Sequence, residues 1–161
     1  MRRACLTLLW VLALAAPLAA GTTDDLSELF PASVGPLERV GLVTGDEAQT
    51  EVDKLHGKAL RAEASAIAHY AEQGGRPAEA WVSRVASEAE ARRQTGLMVH
   101  KMFENPRSPF SHPSRVDHNG VAVYRFTGMG RAHLIWYAGD LVWWVSADPD
   151  RERDFLDALC R

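Results

Sequence analysis

The sequence predicts an α+β protein with a single antiparallel sheet, made of a hairpin and a C-terminal meander, and about three helices packed on one face. Three observations predict it. Two alternating segments in the first half pair as a hairpin, a helix with capping residues lies in the middle, and short apolar runs alternate with glycine turns in the last third. Strands and helices that do not strictly alternate are typical of α+β folds rather than parallel sheets.

The first strand and the first helix are predicted next to each other. Residues 40–43 form a short apolar run that fits a strand. Thr44 with Glu47 three residues later makes a capping box, so a helix follows and ends near His56.

The segment 59–71 is ambiguous between a strand and a helix. Its alanines recur at every second position, as in a strand, although alanine itself favours a helix. Gln73-Gly74-Gly75 supplies a turn, and 78–85 returns with alternating apolar residues. We therefore favour a hairpin and keep a helix at 59–71 as the alternative.

The clearest predicted helix runs over residues 88–103. Ser87 and Glu90 form a second capping box at its start, and Asn105-Pro106 ends it. The stretch 106–113 contains three prolines and is predicted to be a loop.

The last third predicts a meander that ends in a helix. Asn119-Gly120 is a strong signal for a hairpin turn, and two further glycine turns follow. Asp148 with Pro149 predicts the cap and the first position of a final helix. The predicted strands lie near Val116 and at 121–127, 132–137 and 141–146.

The first 21 residues have the layout of a secretory signal peptide. Arg2 and Arg3 provide a positive start, residues 6–16 form an apolar run, and small residues follow. The apolar run is shorter than the roughly 20 residues that a membrane span needs. Cleavage after Ala20 and cleavage after Gly21 both fit, and an uncleaved anchor is the alternative.

Removal of this segment defines the predicted mature protein. Residues 22–28 form an exposed leader, and 29–161 form a single globular domain. Cys5 leaves with the segment, so Cys160 remains without an intramolecular partner. Cys160 is then either a buried terminal thiol or a residue that pairs between chains.

The charge of the mature chain argues against two classes of main partner. Its 18 basic residues less Arg2 and Arg3 leave 16 against 21 acidic residues, a net charge of −5. A mildly acidic chain without a long basic run is not expected to bind nucleic acid or anionic lipid as its main partner. We expect a periplasmic or secreted protein without a cofactor or a stable membrane span. Its expected partner is an envelope protein or a small ligand.

Aromatic side chains of the last three strands predict a binding face. Successive residues of a strand point to opposite faces, so Trp143 and Trp144 cannot both enter one core. An exposed row of aromatic residues is typical of a ligand or protein surface. In the alternative, both faces are covered, by other elements or by Lys and Arg stems. The predicted set is Tyr124, Trp136, Tyr137, Trp143 and Trp144.

Metal binding is a second hypothesis. His112 and His118 flank a segment that contains Asp117, and together these side chains could offer ligands to zinc or copper. In the alternative interpretation, the three are solvated loop residues.

A small serine hydrolase is a third hypothesis. Ser108, Ser111 and Ser114 lie close in sequence to His112 and Asp117, the residue types of a catalytic triad. No Gly-x-Ser-x-Gly motif frames any of these serines, so an enzyme is expected less than a non-enzymatic protein.

A series of motifs along residues 29–160 resembles the pattern of a known family. The motifs are Leu55-His56-Gly57 after a short helix, alternating segments around Tyr70 and Trp81, an alanine-rich helix through Ala91 to Met98, and late hairpins with Tyr124, His133 and Trp143-Trp144. In these the chain resembles a family of small exported bacterial domains of unknown function. The resemblance implies no activity, cofactor or catalytic residue. It implies a standalone envelope domain, and we expect a non-enzymatic binding or accessory domain of the bacterial cell envelope.

Overall fold

The computed structural model describes residues 25–56 and 62–161, and the predicted signal peptide lies outside these residues. The described residues form eight β-strands and three α-helices. In chain order they are β1 (Ser33–Val34), β2 (Leu37–Thr44), α1 (Gly45–His56), β3 (Ala64–Ala71), β4 (Ala78–Arg84), α2 (Glu88–Glu104), β5 (Phe110–His118), β6 (Val121–Gly128), β7 (Arg131–Ala138), β8 (Leu141–Ala147) and α3 (Glu152–Leu159).

All eight strands belong to one antiparallel sheet, in the order β1-β2-β3-β4-β8-β7-β6-β5. The α+β class and the single antiparallel sheet are therefore confirmed. The sheet is larger than the predicted hairpin plus meander. The N-terminal strands extend it at one end, and pairing of β4 with β8 joins its two halves. That pairing connects segments distant in sequence, so no local pattern indicates it.

The alternating segment in the first half is a strand. Residues 64–71 form β3, which pairs with β4 from Ala64 to Tyr70. Ala66 and Ala68 are fully buried in the core. Their small side chains leave room for larger residues packed over the sheet, so burial overrides the helix propensity of alanine.

The helices cover both faces of the sheet, and the predicted arrangement on one face is wrong. Tyr70 on β3 packs edge-on against Phe155 of α3, with ring centroids 5.6 Å apart. On the opposite side of the same strand, the Ser65 hydroxyl donates to Gln49 of α1 at 2.8 Å. Ala91 of α2 packs on the same side as α1, against Val142. We call the side that carries Tyr70 the α3 face, and the side that carries Ser65 the α1–α2 face.

The largest core lies on the α3 face and includes residues from before the first strand. Leu26 is 1% exposed and Phe30 is 3% exposed, and both belong to this core. The predicted exposed leader is therefore wrong at Leu26, whose apolar side chain is buried by the sheet. The Tyr70 hydroxyl donates to the Pro31 carbonyl at 3.0 Å and fixes this segment on β3.

The capping signal of the central helix is confirmed. The Ser87 side chain accepts a hydrogen bond from the Glu90 amide at 3.2 Å, and α2 begins at Glu88. Asp148 makes no side-chain capping bond. It precedes a 3-10 turn, Pro149–Arg151, and α3 begins only at Glu152. Among the helices of the described residues, none has the length and apolar character needed to cross a membrane.

The proline-rich stretch is a loop only in its first part. β5 begins at Phe110, so the predicted loop 106–113 is too long. β5 is an edge strand, and its register shifts between Ser111 and Ser114 around Pro113. Proline is tolerated at such a bulge because an edge position does not require its missing amide hydrogen bond.

Candidate functional site

A cleft of about 370 Å³ opens on the α1–α2 face. Its floor crosses β3, β4, β8 and β7. Strand pairing places His69 beside Glu79, Glu79 beside Ser146, and Ser146 beside His133. Four polar side chains from four strands therefore form one row across the floor.

Two tryptophans form part of the next row of the floor. Trp81 and Trp144 pair directly across β4 and β8, and both are partly exposed. The Trp81 indole N–H donates to Glu79 Oε2 at 3.2 Å, and the Trp144 indole N–H donates to His133 Nδ1 at 3.3 Å. Each ring is thus held by a polar residue of the neighbouring row.

His133 is a neutral residue that holds Trp144. Its side chain is 2% exposed, and burial is the main cause that lowers its pKa below the ordinary value. Because Nδ1 accepts from Trp144, the proton is assigned to Nε2, which donates to the Gly128 carbonyl at 3.2 Å. Both ring nitrogens are therefore used within the protein.

Phe110 forms a wall of the cleft at the start of β5. Its ring packs edge-on against His133 and Trp144, with centroid distances of 4.8 Å and 5.8 Å. Gly128 permits this approach, because a Cβ atom there would lie 2.6 Å from the Pro109 carbonyl oxygen. The glycine that ends β6 is thus required by packing.

Two arginines lie at one end of the cleft. Arg131 is 5% exposed, and its Nη2 donates to the carbonyls of Pro77 at 2.8 Å and Ser146 at 3.3 Å. Arg76 is exposed in the turn between β3 and β4, and its Nη1 donates to the Met129 carbonyl at 3.3 Å. Burial lowers the pKa of Arg131, and the charge of Arg76 adds to that effect.

The predicted aromatic residues do not form one surface. Trp136 and Trp143 are 0% and 3% exposed and lie in the core of the α3 face. Tyr124 and Tyr137 are partly buried among side chains that pack with α2. Trp144 lines the cleft. The predicted split of each adjacent pair between the two faces is observed, but Trp136 and Trp143 are structural residues.

The three predicted metal ligands are not brought together. His118 Nε2 lies 3.3 Å from Asp157 of α3, and Asp117 accepts from the Gly120 amide at 3.1 Å. His112 Nδ1 lies 3.0 Å from the Thr127 hydroxyl. Within residues 25–56 and 62–161, no group of three or more His, Cys, Asp or Glu side chains could hold a metal ion.

The loop serines do not assemble a triad among the described residues. Ser111 Oγ lies 3.0 Å from His112 Nδ1, which is hydrogen-bond distance for a serine and its base. The third member is not in place, because Asp117 caps the following hairpin turn. All three residues are exposed, so no closed site surrounds them.

Most cleft residues could not be identified from the sequence as a group. His69, Arg76, Trp81 and Arg131 come from separate strands and turns, and only the sheet brings them together. One local signal exists. Arg131 is a charged residue that opens an apolar strand directly after a glycine turn.

Comparison with known proteins supports the fold but supports no function. No protein-family model matches the sequence, and no curated protein matches it. The crystal structure of a GTP binding regulator from Thermotoga maritima is similar, with a TM-score of 0.50 and 13% sequence identity. The similarity covers 82% of this chain and 79% of that chain. At this identity the similarity concerns the fold alone.

Proposed function

We propose that the protein is an exported, non-enzymatic binding domain of the bacterial cell envelope, and that the cleft on the α1–α2 face holds a small ligand. The observation that carries the proposal is the pair of half-buried tryptophans, Trp81 and Trp144, side by side on the floor. Indole rings offer a large apolar contact area with little loss of side-chain freedom.

The size and lining of the cleft support a small-molecule ligand. Its volume of about 370 Å³ lies within the range of small-molecule pockets, about 300–1,000 Å³. Small-molecule pockets combine aromatic rings with a few placed polar groups, and this cleft combines three aromatic rings with a polar row and two arginines. Phe110 and Trp144 also contact each other, so the aromatic part is packed before a ligand enters.

The hydrogen bonds of the floor support binding rather than catalysis. Glu79 accepts from Trp81, and His133 accepts from Trp144. A general acid or base must reach the substrate, whereas these two groups orient the indole rings. His133 is moreover held in its neutral form by burial.

Export and the envelope location rest on the signal-peptide pattern of residues 1–21 and on the resemblance to small exported domains. The test is the intact mass of the protein purified from its own envelope extract. A chain that starts at Gly21 or Thr22 supports export, whereas a mass that retains Met1 to Ala20 contradicts cleavage.

Binding in the cleft is tested with phenylnaphthylamine, a neutral dye that fluoresces when it enters an apolar site. We expect the dye to bind the unmodified protein, and Trp144→Ala to weaken binding about tenfold or more, since the ring is part of the floor. Thermal melting shows whether each variant is folded at the temperature used.

The matched control is Phe103→Ala. Phe103 is 66% exposed on α2 and does not line the cleft, so its removal also deletes an accessible aromatic ring. Equal loss of dye binding in both variants, or no loss in Trp144→Ala, would overturn the cleft as the site.

A further inference from the structure

Arg131 is a buried cation that no carboxylate of the described residues pairs with. Its guanidinium is bonded to two backbone carbonyls, and its buried Nε has no hydrogen-bond partner among the described residues. Carbonyl oxygens satisfy donors but supply no full negative charge. By contrast the partly buried Arg125 on β6 is paired with Glu152 by two short hydrogen bonds.

Arg76 adds a second positive charge at the same end of the cleft. Arg76 also forms no ion pair with a carboxylate in the part of the chain that the structure describes. Its Nη1 donates a hydrogen bond to the Met129 carbonyl. The two arginines are close enough for the charge of Arg76 to act on Arg131. Like charges placed together at the edge of a low-dielectric cleft raise the positive potential there.

Two acidic groups nearby offset part of this positive potential. Asp148 and Glu79 act on Arg131 through space without an ion pair, and Asp148 is exposed to solvent. The Glu79 carboxylate accepts from the Trp81 indole N–H, a neutral donor that leaves its negative charge in place. His133 adds no charge of its own, because burial favours its neutral form.

We infer that the ligand of the cleft is a small organic anion, and this inference rests on the proposed binding function. Its carboxylate or phosphate lies at the end formed by Arg76 and Arg131, where the exposed Arg76 guanidinium makes the contact and the buried Arg131 supplies a fixed positive charge behind it. Its apolar body lies on Trp81 and Trp144. An inorganic anion alone would leave the aromatic floor unused.

Two dyes that share one aromatic skeleton test this assignment. Anilinonaphthalene sulfonate carries an anionic group, and phenylnaphthylamine does not. The variant is Arg76→Gln, chosen because Arg76 is exposed and its loss does not disturb the core. We expect about fivefold weaker binding of the sulfonate dye, and a change of less than about twofold for the neutral dye.

The control is Arg153→Gln, which removes the same charge from α3 on the opposite face, where Arg153 is 88% exposed. We expect this variant to bind both dyes like the unmodified protein. If Arg76→Gln leaves the sulfonate dye unaffected, or weakens both dyes equally, the anionic assignment is wrong while cleft binding stands. If Trp144→Ala affects neither dye, the proposed function itself fails.

Discussion

The indole rings of Trp136 and Trp143 stack in the core, with centroids 5.6 Å apart and planes 5° from parallel. The two residues are direct partners on β7 and β8, and Phe30 packs edge-on against Trp143 at 5.6 Å. The next residue of β8, Trp144, points to the opposite face and lines the cleft. Two adjacent tryptophans thus serve two different purposes, one in stability and one in the site.

Replacing Trp143 and Trp144 one at a time distinguishes the role in core stability from the role in the cleft. Trp143→Ala removes a stacked core ring and is expected to lower the free energy of unfolding by about 3–5 kcal/mol. Trp144→Ala removes a half-buried ring and is expected to lower it by about 1–2 kcal/mol. Urea denaturation of both variants measures the difference, and equal losses would contradict the assignment of Trp143 to the core.

Protonation of His133 is expected to destabilise the protein in acid. Burial lowers the pKa of His133 below the ordinary histidine value of about 6.5, so the unfolded chain binds this proton more readily than the native one. The contribution of neutral His133 to the free energy of unfolding is fully present above the pKa of the unfolded chain. It is lost as the pH falls through the lower pKa of the native protein. The measurement is the free energy of unfolding of the protein and of His133→Gln, from about pH 8 to about pH 5.

The matched control is His100→Gln. His100 is 61% exposed on α2 and lies 2.9 Å from Glu104, so its removal should leave most of the acid sensitivity in place. The pH dependence should become shallower in His133→Gln. If the free energy of unfolding depends on pH in the same way for the unmodified protein and His133→Gln, then His133 does not cause the loss of stability in acid.

The pair of Arg125 and Glu152 is expected to stabilise the contact between β6 and α3. Arg125 Nε donates to Glu152 Oε2 at 2.7 Å, and the two side chains are 25% and 19% exposed. The hydrogen bond to Glu152 is the main cause that raises the pKa of Arg125. A double-mutant cycle with Arg125→Gln and Glu152→Gln should give a coupling of about 1–3 kcal/mol.

The exposed pair on α3 provides the comparison for that cycle. Arg153 and Asp157 are 88% and 56% exposed and lie 3.6 Å apart, so their coupling should be about 0.3–0.5 kcal/mol. A coupling for Arg125 and Glu152 that is no larger than this value would refute the stabilising role.

Cys160 is expected to resist thiol reagents in the native protein. It is a free cysteine, 0% exposed, and burial raises its pKa to about 11, with a further contribution from Asp117. The reactive thiolate is therefore scarce at neutral pH. Labelling with iodoacetamide, followed by peptide mass mapping, should proceed only as fast as the protein unfolds. Equally rapid labelling in water and in urea would contradict this burial.

Local signals located most elements because they act within a few residues. The capping box of Ser87 and Glu90 starts α2, and Asn119-Gly120 forms the turn between β5 and β6, with Asn119 at φ 53°. At the start of β5, Pro109 and Pro113 indicate a loop, whereas pairing of Phe110 with Gly128 makes a strand. The long-range contact overrides the local signal there.

Contacts between distant segments determine which face of the sheet each side chain occupies. They also determine which residues line the cleft. Alternation predicts that Trp143 and Trp144 point apart, but it does not say which of them meets Phe30 and which meets the cleft. No sequence pattern connects Arg76 with Arg131. They become a pair because β4 joins β8, which brings the turn before β4 next to the start of β7.

The central position of β8 also determines when the sheet can be completed during folding. β8 is the last strand in the chain, yet it lies between β4 and β7. While a chain is being synthesised, β4 therefore keeps an unpaired edge until residues 141–147 are available. Early segments cannot complete the core on their own, and folding becomes an event of the whole domain. In the proposed export, late completion of the sheet would favour passage of the chain across the membrane before it folds.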